Sequence, residues 1–187
     1  MYGYYFLLAP LLFSATLLAS EDNVDVDIKA NIITNTCSVS VENGARITLP
    51  VVKPEWFDNG WTATTDTGGR SFALLLKDCG APSGASHNTL HLTFAPQSGA
   101  DVTNQVFPNE ILPANGGAQG VGIVIFSEQY RTNVLNTSGQ GDVTYDITGK
   151  AKQDISNRYL FHARYQKTDV VVPGKLTSNI IIGAYYD

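Results

Sequence analysis

Gly174-Lys-Leu-Thr-Ser-Asn-Ile-Ile-Ile-Gly-Ala-Tyr-Tyr-Asp187 is the stretch on which the fold turns. Every second residue from Leu176 gives the row Leu176, Ser178, Ile180, Ile182, Ala184, Tyr186. The interleaved row, Lys175, Thr177, Asn179, Ile181, Gly183, Tyr185, Asp187, is mostly polar. Alternation with period 2 over that length specifies a β-strand with one buried face. Such a strand, running to the final residue, has no successor to pair with its far edge. A long, half-apolar open edge invites aggregation, so either an earlier strand covers it or another chain does.

A matching strand lies near the other end. Asp22 to Asn35 sets Val24, Val26, Ile28, Ala30 and Ile32 on one row and Asp25, Asp27, Lys29 and Asn31 on the other. This arm precedes the first cysteine, Cys37.

These residues resemble those of the pilin subunits of chaperone–usher fimbriae, of the type 1-like kind. In that family a glycine stands fourteen positions from the end, followed by an alternating apolar row and a penultimate tyrosine. Gly174 and Tyr186 occupy those places. Ile28-Lys-Ala-Asn-Ile-Ile-Thr-Asn-Thr-Cys37 is similar to the family's donor strand running into its first cysteine. Phe72-Ala-Leu-Leu-Leu-Lys-Asp-Cys79 resembles the strand that carries the second. Gly120-Val-Gly-Ile-Val-Ile-Phe126 and Tyr159-Leu-Phe-His-Ala-Arg-Tyr165 also have counterparts. The likeness covers nearly all of the chain after residue 20. Each motif is weak alone; five in order are specific.

The resemblance implies an all-β fold, an incomplete immunoglobulin-like β-sandwich with an N-terminal donor-strand extension. Residues 21–35 would be the extension and 36–187 the pilin domain. Val24, Val26, Ile28, Ala30 and Ile32 would form the donor row. Gly174, Leu176, Ile180, Ile182, Ala184, Tyr186 and Asp187 would line the acceptor groove and meet a periplasmic fimbrial chaperone, which anchors the Asp187 carboxylate through basic residues. An outer-membrane usher would then exchange the chaperone for a neighbouring subunit's strand, building a heterologous fibre at the bacterial cell surface. Two departures stand out: the donor strand often carries Gly where this chain has Ala30, and Ser178 interrupts the apolar row.

Bulk composition agrees with a non-enzymatic β protein. The 187 residues suggest one domain. A net charge of −5 leaves no basic surplus for nucleic acid or anionic lipid. Glycine is abundant, Thr, Val and Ile recur, and no long stretch has a 3.6-residue period, which points to all-β structure. No G-x-S-x-G elbow, P-loop, Rossmann glycine pattern or H-E-x-x-H occurs. The carboxylates are scattered, and no cofactor is implied.

Residues 1–20, MYGYYFLLAPLLFSATLLAS, carry no charge and are mostly apolar from Phe6 to Leu18. That core is short for a membrane span and suits the apolar region of a signal peptide, cleaved near Ser20. An uncleaved anchor, or a start codon assigned too late to include a basic leader, are the alternatives. In an exported protein the two cysteines, Cys37 and Cys79, most simply pair. A bridge closing such a loop is worth roughly 4 kcal/mol in the chain-entropy picture. A redox or metal pair is a poor reading, since no CxxC or histidine pair supports it.

Between the ends the expected strands are Cys37–Val41, Ile47–Val51, Ser71–Cys79, Thr89–Ala95, Val121–Phe126 and Arg158–Lys167, about seven with the last. Asn43-Gly44 reads as a turn, and Pro54–Gly69, Gly80–Ser86 and Ser98–Gln119 as loops. His87 and His91 read as surface residues of a strand. The 127–156 connection holds a possible strand at Val143–Ile147 and has no assignable task. Trp56 and Trp61 could form a carbohydrate platform, making the chain an exported lectin-like β-sandwich; otherwise they cap the core beside the disulfide.

Overall fold

The computed structural model describes residues 24–30, 37–79, 88–151 and 154–186. Among the described residues there are ten strands: β1 (Val24–Ala30), β2 (Ser38–Val41), β3 (Arg46–Leu49), β4 (Arg70–Lys77), β5 (Thr89–Pro96), β6 (Gln119–Ser127), β7 (Thr132–Asn133), β8 (Gly141–Asp146), β9 (Arg158–Val172) and β10 (Ile180–Tyr186). They make two five-stranded sheets, ordered β3-β1-β10-β5-β8 and β2-β4-β9-β6-β7. The chain is thus an all-β sandwich. No helix among the described residues is long and apolar enough to cross a membrane.

The alternating rows become the two inner faces. Leu90, Leu92 and Phe94 of β5 and Ile180, Ile182 and Ala184 of β10 are all buried, facing Tyr159, Phe161, Ala163 and Tyr165 of β9 within one core. Phe161 joins the sheets: its ring centroid lies 5.9 Å from Phe72 and 5.3 Å from Phe94. Fully burying such a side chain contributes about 1.5–3 kcal/mol, so this row carries much of the stability. Cys37 and Cys79 are disulfide-bonded, and they flank the paired ends of β2 and β4, where Ser38 stands opposite Lys77.

The 127–156 stretch has a structural task after all. Its β8 pairs with β5 along Thr89–Phe94 and so widens the first sheet. Gly120-Val-Gly122 also acquires a reason. Gly120 sits at φ +67° where the β6–β9 register shifts. A Cβ there would lie 2.2 Å from the Val170 carbonyl oxygen, and one on Gly122 would lie 2.4 Å from that of Phe107.

The tryptophans are structural. Trp56 meets Phe57, Trp61 and Tyr165 edge-on at 5.1, 5.2 and 6.2 Å. Trp61 carries the Arg164 guanidinium 5.4 Å from its ring centroid. Both therefore pack at the Arg70 end of β4, away from the disulfide at the Lys77 end. The segment from Trp61 to Gly69 lies across the outer face of the second sheet, where it buries His162, Arg164 and Gln166.

Candidate functional site

The site is the seam between β3 and β10. On its far side β10 is paired with β5 throughout, from Ile180 opposite Pro96 to Tyr186 opposite Leu90. Toward β3, its hydrogen-bonding partner is β1, in parallel: Ile28 opposite Ile180, Lys29 opposite Ile181, Ala30 opposite Ile182. The first half of β1 pairs antiparallel with β3, setting Val24 opposite Leu49, Val26 opposite Ile47 and Asp27 opposite Arg46. Sheet pairing of β3 involves β1 alone among the named strands. Without β1, the strand edges of β3 and β10 would both lose their backbone partners, which is costly for any edge left beside a core.

The register places the alternating arm in phase with the core. Val24, Val26, Ile28 and Ala30 stand opposite Leu49, Ile47, Ile180 and Ile182, and these four partners on β3 and β10 are buried. Ile32 lies outside the described residues, as does Asp187. Ile47 and Leu49 form a groove wall absent from the expected site. Their signal was the apolar alternation in Arg46-Ile-Thr-Leu49, legible as a strand but not as this strand's neighbour.

The expected acceptor row divides in two. Ile180 and Ile182 lie beside β1, and the Ala184 carbonyl accepts the Cys37 N–H at 3.3 Å. Tyr186 closes the row opposite Leu90, half-buried, and burial raises its phenol pKa, so it is neutral at physiological pH. Gly174 and Leu176 precede the strand, Leu176 buried in the same core. Over 174–179 the backbone bonds to the preceding loop: Lys175 N–H to the Gly116 carbonyl at 2.9 Å, Ala118 N–H to Lys175 at 2.8 Å, and Glu110 N–H to Thr177 at 2.8 Å. The Asn109 side chain continues this, its Nδ2 donating to the Lys175 carbonyl and its Oδ1 accepting from Thr177 N–H. A Cβ on Gly174 would sit 2.5 Å from the Ala118 nitrogen and 2.7 Å from the Gly116 oxygen. The glycine is thus required by the loop that locks the approach to β10, and the strand begins only at Ile180.

Ser178 lies on the inward row, fully buried, and its Oγ has no hydrogen-bond partner among the described residues. An unsatisfied buried hydroxyl costs about 1–3 kcal/mol. Ser178→Ala should therefore raise stability by about 1 kcal/mol, read as a higher urea midpoint at unchanged slope. A lowered midpoint would mean that the hydroxyl is in use.

On the outer face of this sheet His91 is not the surface residue expected. Its imidazole stacks on Tyr185, centroids 4.5 Å apart and 6° from parallel, and its Nδ1 lies 2.9 Å from Asp142. His87 falls outside the described residues.

Residues 26–187 match the family model described as "Fimbrial protein". The chain is also 34% identical over 173 residues to the uncharacterized fimbrial-like protein YadK of Escherichia coli (strain K12), covering 87% of this chain and 85% of that protein. Together with the two-sheet fold, these matches identify the chain as a member of the fimbrial protein family, the chaperone–usher pilin subunits whose end motifs it carries.

Proposed function

We propose that the chain is a structural fimbrial subunit that polymerises by donor-strand exchange, the Val24–Ala30 strand of one copy entering the β3–β10 seam of the next, in a fibre that supports cell adhesion. One observation carries this: residues 37–186 supply every strand of the sandwich except the one between β3 and β10. That strand comes from ahead of the first cysteine, on an arm that sequence places outside the body. Its role can therefore pass to a second molecule by β-augmentation, with backbone bonds for affinity and alternate side chains for register. Donor and groove are different surfaces, so the contact is heterologous and propagates as an open fibre.

On this reading residues 1–20 are an export signal, 21–35 the donor extension and 36–187 the pilin domain. A periplasmic chaperone lends a strand to the seam before assembly and takes hold of the chain near Tyr186 and Asp187, and an outer-membrane usher catalyses the exchange. The subunit ends on the cell surface without an enzymatic task. The lectin-like alternative loses its platform, since Trp56 and Trp61 spend their faces and edges on Phe57, Tyr165 and Arg164.

The test uses a chain lacking Glu21–Ile32, with and without a copy of Asp22–Asn35 fused through a flexible linker after Asp187. Four apolar residues returned to the core, at about 1.5–3 kcal/mol each before ordering costs, leave several kcal/mol. The fused chain should melt about 10 °C or more above the unfused one. Equal melting temperatures would sink the missing-strand reading.

A further inference from the structure

Residues 61–69 contain no strand, yet they are tied down on the outer face of the second sheet. We propose that they form an acid-released flap, closed near neutral pH and let go when His162 beneath it takes up a proton. None of this lies at the β3–β10 seam, so the flap stands or falls apart from donor-strand exchange.

The flap hangs between glycines in the left-handed region: Gly60 at φ +74° before it, Gly68 at +68° and Gly69 at +97° at its end. Glycine takes up such a change of backbone direction without steric cost, which suits a hinge. Between these points the flap is held by side chains reaching up from below. Gln166 Nε2 donates to the Trp61 carbonyl at 3.0 Å, Asn133 Nδ2 to that of Ala63 at 2.8 Å, and Arg164 to those of Thr62 and Thr65 at 2.7 Å. The flap's own charged anchor is Asp66, buried against His162 and Arg131. Ala63 packs on Val106, Val124 and Phe126, a small apolar cluster distinct from the main core. Release of the flap would uncover that cluster.

His162 is the titratable part of this latch. Its ring stacks on Phe126, centroids 5.2 Å apart and 14° from parallel, and its Nε2 lies 2.9 Å from Asp66. The charged groups around it are Asp66 from the flap, Glu128 and Arg131 from the turn between β6 and β7, and Arg164 from its own strand. On the neighbouring β4, Ser71 stands opposite it. Two carboxylates and two arginines balance, so a neutral imidazole leaves the cluster neutral. An imidazolium would add an unbalanced positive charge under cover, which water can solvate only once the flap lifts. Burial, helped by the two arginines, holds the His162 pKa below its ordinary value despite Asp66 and Glu128. The closed form therefore has its full advantage above the ordinary imidazole pKa of about 6.5 and loses it as pH falls toward the closed-form value. Within that interval only the open form binds the proton, and the open-to-closed ratio rises about tenfold per pH unit.

The test is amide hydrogen exchange of the exported full-length chain and its His162→Gln variant, from about pH 7.5 down to about pH 5, the range in which histidine titrates. Glutamine keeps a polar amide beside Asp66 and cannot titrate. The two chains share their intrinsic exchange chemistry, so the ratio of their rates over 61–69 isolates the latch. The wild-type rate relative to that of His162→Gln should rise about tenfold per pH unit below about pH 6.5. Wild-type flap amides should also exchange well ahead of those in the β6–β9 ladder. A flat ratio overturns the proposal, and so does one that falls with acid, because Asp66 would then be gripping the imidazolium. Exchange of flap and ladder at one rate overturns it as well, since the flap would open only with the whole domain. If the glutamine variant does not fold, an NMR titration of the His162 ring in the wild-type chain decides. A midpoint below about 6.5 supports the latch, and one at or above that value overturns it.

Discussion

Ile180→Asp should leave no folded subunit to purify, whereas Ile181→Asp, one residue along, should leave one close to wild type. Ile180 is fully buried on the inward row of β10, and Ile181 is half-exposed on the other face. Among the described residues the buried core row around position 180 holds no cation, so a carboxylate there would take up a proton instead. That raises its pKa by up to about 3–5 units, equivalent to about 4–7 kcal/mol. The lost burial of the isoleucine adds about 1.5–3 kcal/mol. The sum matches the whole stability of an ordinary domain, about 5–15 kcal/mol. Adding Ile182→Asp, also fully buried, removes any margin. The measurement is the yield of soluble, protease-resistant exported protein for the two single variants. Similar yields would mean that the seam is wet and that the inward row is not a core row.

How far this was legible follows from what alternation can and cannot report. The inward row from Leu176 to Ala184 is buried throughout, so the two-residue period gave the correct face. The strand itself starts only at Ile180, because the preceding backbone is bonded to the Asn109–Ala118 loop. That loop is polar and aperiodic, and nothing in it announces a partner. Gly174 shows the same limit: its position was a motif in the sequence, but its reason is a loop pressed to within 2.5 Å. The arm at Val24–Ala30 was legible as a strand and offered no direction, since a period of two reads the same both ways. Its direction is seen only in the pairing, parallel to β10. Among the described residues ten strands stand where about seven were expected beside the arm: β1 is that arm, β8 overlaps the possible strand at Val143–Ile147, and β7 is a two-residue edge strand that nothing in the sequence announces. The outer row of β9 hides its cover for a different reason. Leu160, His162, Arg164 and Gln166 have the composition of a wetted face, and periodicity sees a strand's faces without seeing what lies over them.

What lies over them makes Arg164 the second position of large effect. Arg164 is 2% exposed, and its guanidinium feeds four acceptors at 2.7–2.8 Å: the carbonyls of Thr62, Thr65 and Tyr165 and the Gln166 side chain. It lies between two rings, 5.4 Å from Trp61 and 5.2 Å from Phe126. Asp66 supplies the counter-charge of the cluster, pairing with Arg131 and lying 2.9 Å from His162 Nε2. Burial brings the Arg164 pKa down to about 10, against the pull of Asp66, which still leaves it charged at neutral pH. Burial likewise lowers the His162 pKa despite Asp66, so the permanent cations of the cluster are the two arginines. Arg164→Ala strands those acceptors and removes the stacking surface for Trp61 in one step. Breaking a buried charged network by deleting one member costs about 3–5 kcal/mol, or about 10 °C in melting temperature for a domain of this size. Arg164→Lys should recover little of it, because an ammonium cannot span four acceptors fixed for a planar fork. Thermal melts of the two variants, with Trp fluorescence reporting the Trp61 contact, decide the matter. A lysine variant that melts like wild type would mean that the site needs only a charge, and that the Trp61–Gly69 segment is held on the sheet by something other than this arginine.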